Sequence, residues 1–378
     1  MDKLSLNNKR AWIEINFENL KNNIQEIKKV IPKTCDIMAI VKANAYGHGI
    51  VQISNMLNKI GINSFAVATL AEGIKLRENN IKGNILILGY TDIADIKKVI
   101  EYDLIQTIVD LEYAEKISKI KLKSKLKVHI KINTGMNRIG ENCQNIDNII
   151  KMYNIDNIQI TGTYSHLCTA ENLDSDNIEF TKKQINNFDK CIEKIRKLGY
   201  NPGKTHIQSS YGILNYSECN YDYVRPGIIM YGAYCDGICN KTKVQIDIKP
   251  VLSLKAQITT VKEIKKGEAV SYDRTFVADR NKKIATVSIG YADGYPRNLS
   301  GKNAKVLVNG EFAEIIGKIC MDQLIIDASN LEKIKQGDIV TLIGEEKEIS
   351  VEEMAMKSET ITNEIFSRLG DRLERIEV

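Results

Sequence analysis

The sequence predicts an α/β chain in two parts. Residues 12–245 form an N-terminal (β/α)8 barrel of the TIM type, and residues 246–378 a C-terminal mainly-β domain, which residues 1–11 can join. Three observations point there. Eight short apolar runs alternate with helical patterns over about 230 residues, the size of a closed barrel. Beyond Lys249 the helices thin out and β-type runs follow one another. Asn309-Gly310 between two of those runs is a strong hairpin signal. Alternation alone also fits a doubly wound open sheet, so closure is an expectation.

The expected barrel strands are 37–41, 64–68, 84–88, 105–109, 126–132, 158–164, 205–208 and 223–230. Between them lie helices such as 17–30, where Leu20, Ile24, Ile27 and Val30 make one apolar stripe, and 178–198. The second domain is expected to hold strands at 251–261, 284–289, 304–308, 314–319, 324–327 and 339–343. With neither a repeat nor a low-complexity linker, the two parts should pack closely.

Composition excludes several classes of function. Apolar residues make up 43% and charged residues 27% of the 378, with five prolines, as in ordinary globular proteins. A net charge of +5, spread along the chain, argues against a nucleic-acid partner. No signal-peptide pattern opens the sequence and no apolar run reaches membrane-span length, so a cytoplasmic protein without a membrane partner is expected. The cysteines at 35, 143, 168, 191, 219, 235, 239 and 320 have no metal-ligand spacing. Reduced thiols and no metal follow.

A barrel builds its site at the C-terminal strand ends. Lys42 leaves the first strand there, inside Val-Lys-Ala-Asn-Ala-Tyr-Gly-His-Gly. Partial desolvation lowers a lysine pKa and suits it to Schiff-base chemistry and proton transfer. Most lysines, however, are solvated charges. In the fifth strand, Val128, Ile130 and Ile132 alternate with His129, Lys131 and Asn133. With the apolar face outward against helices, Lys131 enters the barrel, where an unpaired ammonium is costly. His129 reads as a satisfied barrel residue. Arg138, just beyond, carries a fork suited to a carboxylate. Ser209 and Ser210 precede a short helix and favour a phosphate, as do the loops after strands seven and eight.

These motifs, with Val224-Arg225-Pro226-Gly227 and, in the β domain, Ala269-Val270-Ser271-Tyr272, Ile289–Tyr295 and Ile319–Asp322, closely resemble the alanine racemase family from about Arg10 to Ile376. The resemblance implies a pyridoxal 5'-phosphate enzyme that interconverts L- and D-alanine and supplies D-alanine for peptidoglycan precursors. Lys42 would carry the cofactor, and Tyr46, Ser210, Gly227 and Ile228 would hold its phosphate. Arg225, held by His206, would face the pyridine nitrogen, and His166 would lie over the ring. Arg138 would bind the substrate carboxylate, oriented by a carbamylated Lys131, although relatives often have aspartate where this chain has Asn133. Tyr272 would be the second catalytic base, lent by the other subunit of a homodimer together with Tyr291 of the gate segment and Met321. The C-terminal stretch Ile361–Leu373 resembles the closing motif, with Asp371 where many members have tyrosine. Asp371 is therefore the expected contact for a serine hydroxyl. The ending resembles serine racemases of vancomycin-resistant bacteria, so alanine and serine both stay open as main substrate. A non-catalytic vitamin B6-binding barrel and a fold-related decarboxylase are rival readings. The β-domain motifs argue against the first, and arginine rather than an acid at position 225 against the second.

Overall fold

In the computed structural model, residues 10–235 and 242–378 are described. Residues 1–9 of the expected β-domain extension, and Cys239, lie outside them. The parallel sheet contains nine hydrogen-bonded segments in one path. Its ends, Asp36–Ile37 and Ala39–Ile40, are two pieces of one strand interrupted at Met38. Asp36–Ile37 pairs with Tyr223–Val224, and Ala39–Ile40 pairs with Ser64–Val67. Met38 and Ile40 donate N–H bonds to Val224 and Pro226, while Val41 donates to Ala66. The same strand therefore binds both neighbours, and the sheet closes into the (β/α)8 barrel rather than an open wall.

Periodicity located the elements well. The stripe on helix Phe17–Val30 buries Leu20, Ile24 and Ile27, and helix Ser175–Lys197 covers the barrel at the expected place. In Leu126–Asn133, Val128, Ile130 and Ile132 join the main apolar core, while His129 and Lys131 point into the barrel. Met38, Ile40, Ala66, Leu86 and Ile105 plug the interior below the site. The eighth strand is shorter than expected. It stops at Val224, and the chain becomes a loop and then a 3-10 helix, Ile228–Tyr231. Pro226 brings no N–H to a ladder, and this break turns the backbone of Gly227 and Ile228 toward the cavity.

Strand Ala11–Ile15 belongs to the second domain's sheet rather than the barrel. It pairs antiparallel with Leu252–Ile264 and parallel with Glu374–Glu377. That sheet therefore claims residues up to Ile15, past the expected limit at 11. Leu252–Ile264 also pairs with Ile339–Ile343 and Lys282–Val287, which curls the sheet on itself. Asn309 and Gly310, at φ 50° and 85°, make the hairpin between Lys305–Val308 and Glu311–Ile316. Two short helices, Val351–Lys357 and Thr362–Arg368, lie where little helix was expected. The second packs on the turn after Lys42. Among the described residues, the thiols of Cys35, Cys143, Cys168, Cys191, Cys219 and Cys320 are free and no helix is long and apolar enough to cross a membrane.

Candidate active site

A cavity of about 440 Å³ opens at the C-terminal ends of the barrel strands. Lys42, Tyr46, Lys131, Arg138, His166, Ser210, Arg225, Gly227 and Ile228 line it together. Four of these are lysine or arginine, and among the described residues no carboxylate lines the cavity. Such a wall favours an anionic occupant, because unpaired charges held out of water are otherwise costly.

Lys42 follows the first strand directly, and the chain beyond it takes an unusual path. Ala43, Asn44, Ala45 and Tyr46 all lie at φ 52–54°, a left-handed turn built without glycine. Each such residue costs roughly 1–2 kcal/mol. The turn is held at several points. Glu72 Oε1 accepts Ala43 N–H at 2.6 Å, Asn44 Oδ1 accepts Ile50 N–H at 2.9 Å, and Arg375 Nε donates to Gly47 O at 3.0 Å. Burial, then the Arg138 charge, lowers the Lys42 pKa from its ordinary value, with Glu72 opposing. The amine is thereby a better base and nucleophile at neutral pH.

The turn also sets Tyr46 against strand eight. A Cβ on Gly227 would stand 2.8 Å from Tyr46 Oη, so only glycine leaves this gap. Ser210 Oγ accepts Gly227 N–H at 3.1 Å. Two hydroxyls and the adjoining backbone thus converge at one end of the cavity.

Arg225 is buried at the centre. It donates to His206 Nδ1 at 2.8 Å, to His166 Nδ1 at 3.0 Å and to the carbonyls of Ser165 and Ile207. A guanidinium only donates, so both Nδ1 atoms accept and both imidazoles carry their proton on Nε2. His206 Nε2–H donates to His129 Nδ1 at 2.9 Å. Burial holds His129 down to about 3 and lowers His166 and His206, with the Arg225 charge adding to each. Burial also brings Arg225 to about 10, which leaves it protonated at neutral pH. His129 is thus a satisfied member of a relay.

Lys131 is 4% exposed and sits 4.9 Å over the Tyr164 ring. Burial, Arg225 and Arg138 together push its pKa well below the ordinary value. Tyr164, which sequence reading did not single out, stacks on His206 at 4.8 Å and bonds Thr107 through its hydroxyl. It ends an expected strand, and that position was the available signal.

Other expected residues lie elsewhere. Tyr272 is 66% exposed and Met321 54%, and both line a different pocket with Ser271, Cys320, Asp322 and Gln323. Tyr291 is also exposed, and its N–H bonds Cys320 O at 3.1 Å, tying the gate segment to that loop. Within one chain these residues are not in the cavity with Lys42. Asp371 is exposed beyond the last helix and is not among the residues that line the cavity. Asn363 does line it, because helix Thr362–Arg368 presents its first turn, not the segment after it, to the barrel mouth. The motif holding both residues was legible, but which of them faces inward was not.

The alanine racemase N-terminal domain family matches residues 15–235, and its C-terminal domain family residues 251–377. The chain is 41% identical to a serine/alanine racemase of Enterococcus gallinarum over 97% of its own length, yet it spans about half (51%) of that protein. An alanine racemase of Clostridium novyi (strain NT) is 39% identical, covering 97% of this chain and 95% of the relative. The solved alanine racemase of Clostridium difficile 630 superposes with a TM-score of 0.91 at 35% identity, covering 98% of this chain and 96% of that one. The cationic cavity, the relay around Arg225 and both matched domains lead to one assignment: the chain belongs to the alanine racemase family.

Proposed function

We propose that the protein is an amino-acid racemase that uses pyridoxal 5'-phosphate and acts on alanine, with turnover of serine as well. The observation that carries this reading is the lysine- and arginine-lined cavity that holds Lys42 together with the cradle of Tyr46, Ser210 and Gly227. The residues fit the cofactor. The absence of a Gly227 side chain lets the Tyr46 hydroxyl lie close to that backbone, and the Tyr46 and Ser210 hydroxyls with the Gly227–Ile228 backbone suit a phosphate. Arg225, charged and fixed by His206, suits the unprotonated pyridine nitrogen. When bound, pyridoxal phosphate delocalises the electron pair left at the substrate α-carbon.

The chain's own residues supply the rest. Arg138 at the cavity rim binds the substrate carboxylate through its fork. Lys131, whose ammonium form is disfavoured by burial beside two arginines, is placed to take up carbon dioxide as a carbamate with release of a proton, an anion that would pair with Arg138. Lys42 Nζ removes or returns a proton on one face of the α-carbon. Tyr272 of a second copy works on the other face, its phenolic oxygen accepting the His166 Nε2 proton as a hydrogen bond. The exposure of Tyr272, Tyr291 and Met321 on linked loops supports a homodimer with composite sites. Serine turnover rests on Asn363, whose carboxamide offers a hydroxyl a partner in the cavity wall.

Racemisation of L-alanine and L-serine by purified protein with added cofactor tests the reading. Turnover of alanine, with visible absorbance of lysine-bound cofactor that disappears in Lys42→Ala, is expected. Asn363→Leu should lower the serine-to-alanine ratio of kcat/KM several-fold, whereas Asp371→Tyr should leave it unchanged. No turnover of either amino acid rules out the racemase reading, and a ratio that follows Asp371 alone rules out the Asn363 role.

A further inference from the structure

Glu72 opens the helix Leu70–Glu78 on the neighbouring strand–helix unit, and half of its work is ordinary capping. Thr69 Oγ1 accepts Glu72 N–H, while Glu72 Oε2 accepts Thr69 N–H at 3.2 Å and Ala68 N–H at 2.7 Å. A helix cap needs no more than this. Yet Oε1 reaches across to the first strand and accepts Ala43 N–H at 2.6 Å. Ala43 directly follows Lys42 and begins the run of four left-handed residues that ends at Tyr46. One carboxylate therefore joins the ends of two adjacent strands at the point where the lysine leaves the backbone.

We propose that Glu72 is the positioning residue of Lys42: by gripping Ala43 N–H it fixes the left-handed turn from which the lysine enters the cavity. This rests on the reading of Lys42 as the reacting amine. Glu72 is itself absent from the cavity wall, so it acts through the turn and not on the substrate. Its negative charge acts in the same place, opposing the effect of Arg138 on the lysine. The turn has other ties: backbone bonds from Val41 N–H to Ala66 O and from Ala45 N–H to Val41 O on the N-terminal side of the lysine, and side-chain bonds at Asn44 and Gly47 beyond Ala43. Among the side-chain bonds to the turn, the carboxylate's lies nearest the lysine, on its C-terminal side, where a small backbone rotation would swing the amine.

Capping and positioning separate by comparing Glu72→Ala with Thr69→Ala, which weakens the cap and keeps the Ala43 bond. Both should lower Tm. Glu72→Ala alone should lower kcat about 10–100-fold with KM nearly unchanged, the cost of misplacing a reacting group by about 1 Å. Glu72→Gln, which retains one acceptor oxygen, should recover part of that loss. With alanine deuterated at the α-carbon, the isotope effect of Glu72→Ala should rise for one enantiomer only, the one from which Lys42 takes the proton. In the cofactor-free chain, amide hydrogen exchange across residues 42–49 should quicken in Glu72→Ala and not in Thr69→Ala. Equal kcat in the two variants, or unchanged exchange at 42–49 in Glu72→Ala, overturns the proposal. A wild type without turnover overturns the racemase reading instead, and the exchange measurement then still decides the tie between Glu72 and the turn.

Discussion

His48 shows how a single buried side chain ties the site to stability. It is fully buried between the Tyr231 and Phe366 rings, its Nδ1 bonded to Tyr46 O at 2.8 Å and its Nε2 without a partner. A carbonyl only accepts, so Nδ1 carries the proton and the ring is neutral. Burial brings its pKa down to about 4 from 6.5. The unfolded chain then takes up the proton first. Its contribution to stability is complete above about pH 6.5 and is lost as pH falls toward 4, at roughly 1.4 kcal/mol per unit. Denaturation of wild type and His48→Leu from pH 7.5 to 4 checks this. The gap between the two should narrow steadily on acidification, and a constant gap would contradict it. Arg225 fixes the tautomers of His166 and His206 by the same logic of donors and acceptors. The sequence carried residue identities well where a motif named them, as for Lys42, Tyr46 and Arg225. It did not carry orientation near the C-terminus, where Asn363 in the first turn of helix Thr362–Arg368 lines the cavity and Asp371, past the end of that helix, is not among the lining residues.

At the scale of elements, the left-handed turn from Ala43 to Tyr46 is the least ordinary piece of backbone and lies at the centre of the site. Helix periodicity does not reveal it, since its residues read as a plain helical turn. The contacts that hold it come from distant segments, Glu72 and Arg375, which no local pattern records. Gly47 ends the turn at φ 78°, and a Cβ there would lie 2.1 Å from Phe366 O. Gly47→Ala should therefore cost about 2–4 kcal/mol, through both the backbone conformation and the clash with helix Thr362–Arg368. Urea denaturation of the cofactor-free chain measures it, and a loss below 0.5 kcal/mol would show that the turn yields easily. The barrel strands were legible because alternation and length agree for buried parallel strands. The eighth strand was overread because its apolar run continues past Pro226 into a 3-10 helix. Strand Ala11–Ile15 was missed because its partners, Leu252–Ile264 and Glu374–Glu377, lie more than two hundred residues away.

For the whole molecule, the two domains divide the chemistry. The barrel holds Lys42, Arg225 and the cradle of Tyr46, Ser210 and Gly227, while the β domain displays Tyr272, Tyr291 and Met321 on its surface. A turn with Ser271, Asp273 and Arg274 at positive φ thrusts Tyr272 outward. Such backbone persists only when its surroundings hold it. Here the Lys318–Asp273 ion pair and the bond from Ser271 Oγ to Lys318 O do so. On the proposed reading, a single chain offers one half-site at the barrel mouth and the complementary half on its β domain, and two copies would complete both. Mixing inactive Lys42→Ala and Tyr272→Phe proteins, after brief dissociation and reassociation, tests this most directly. Each hybrid dimer would hold one intact site, so activity should return to about one quarter of wild type in an equal mixture. A mixture as inactive as its components would contradict the shared site.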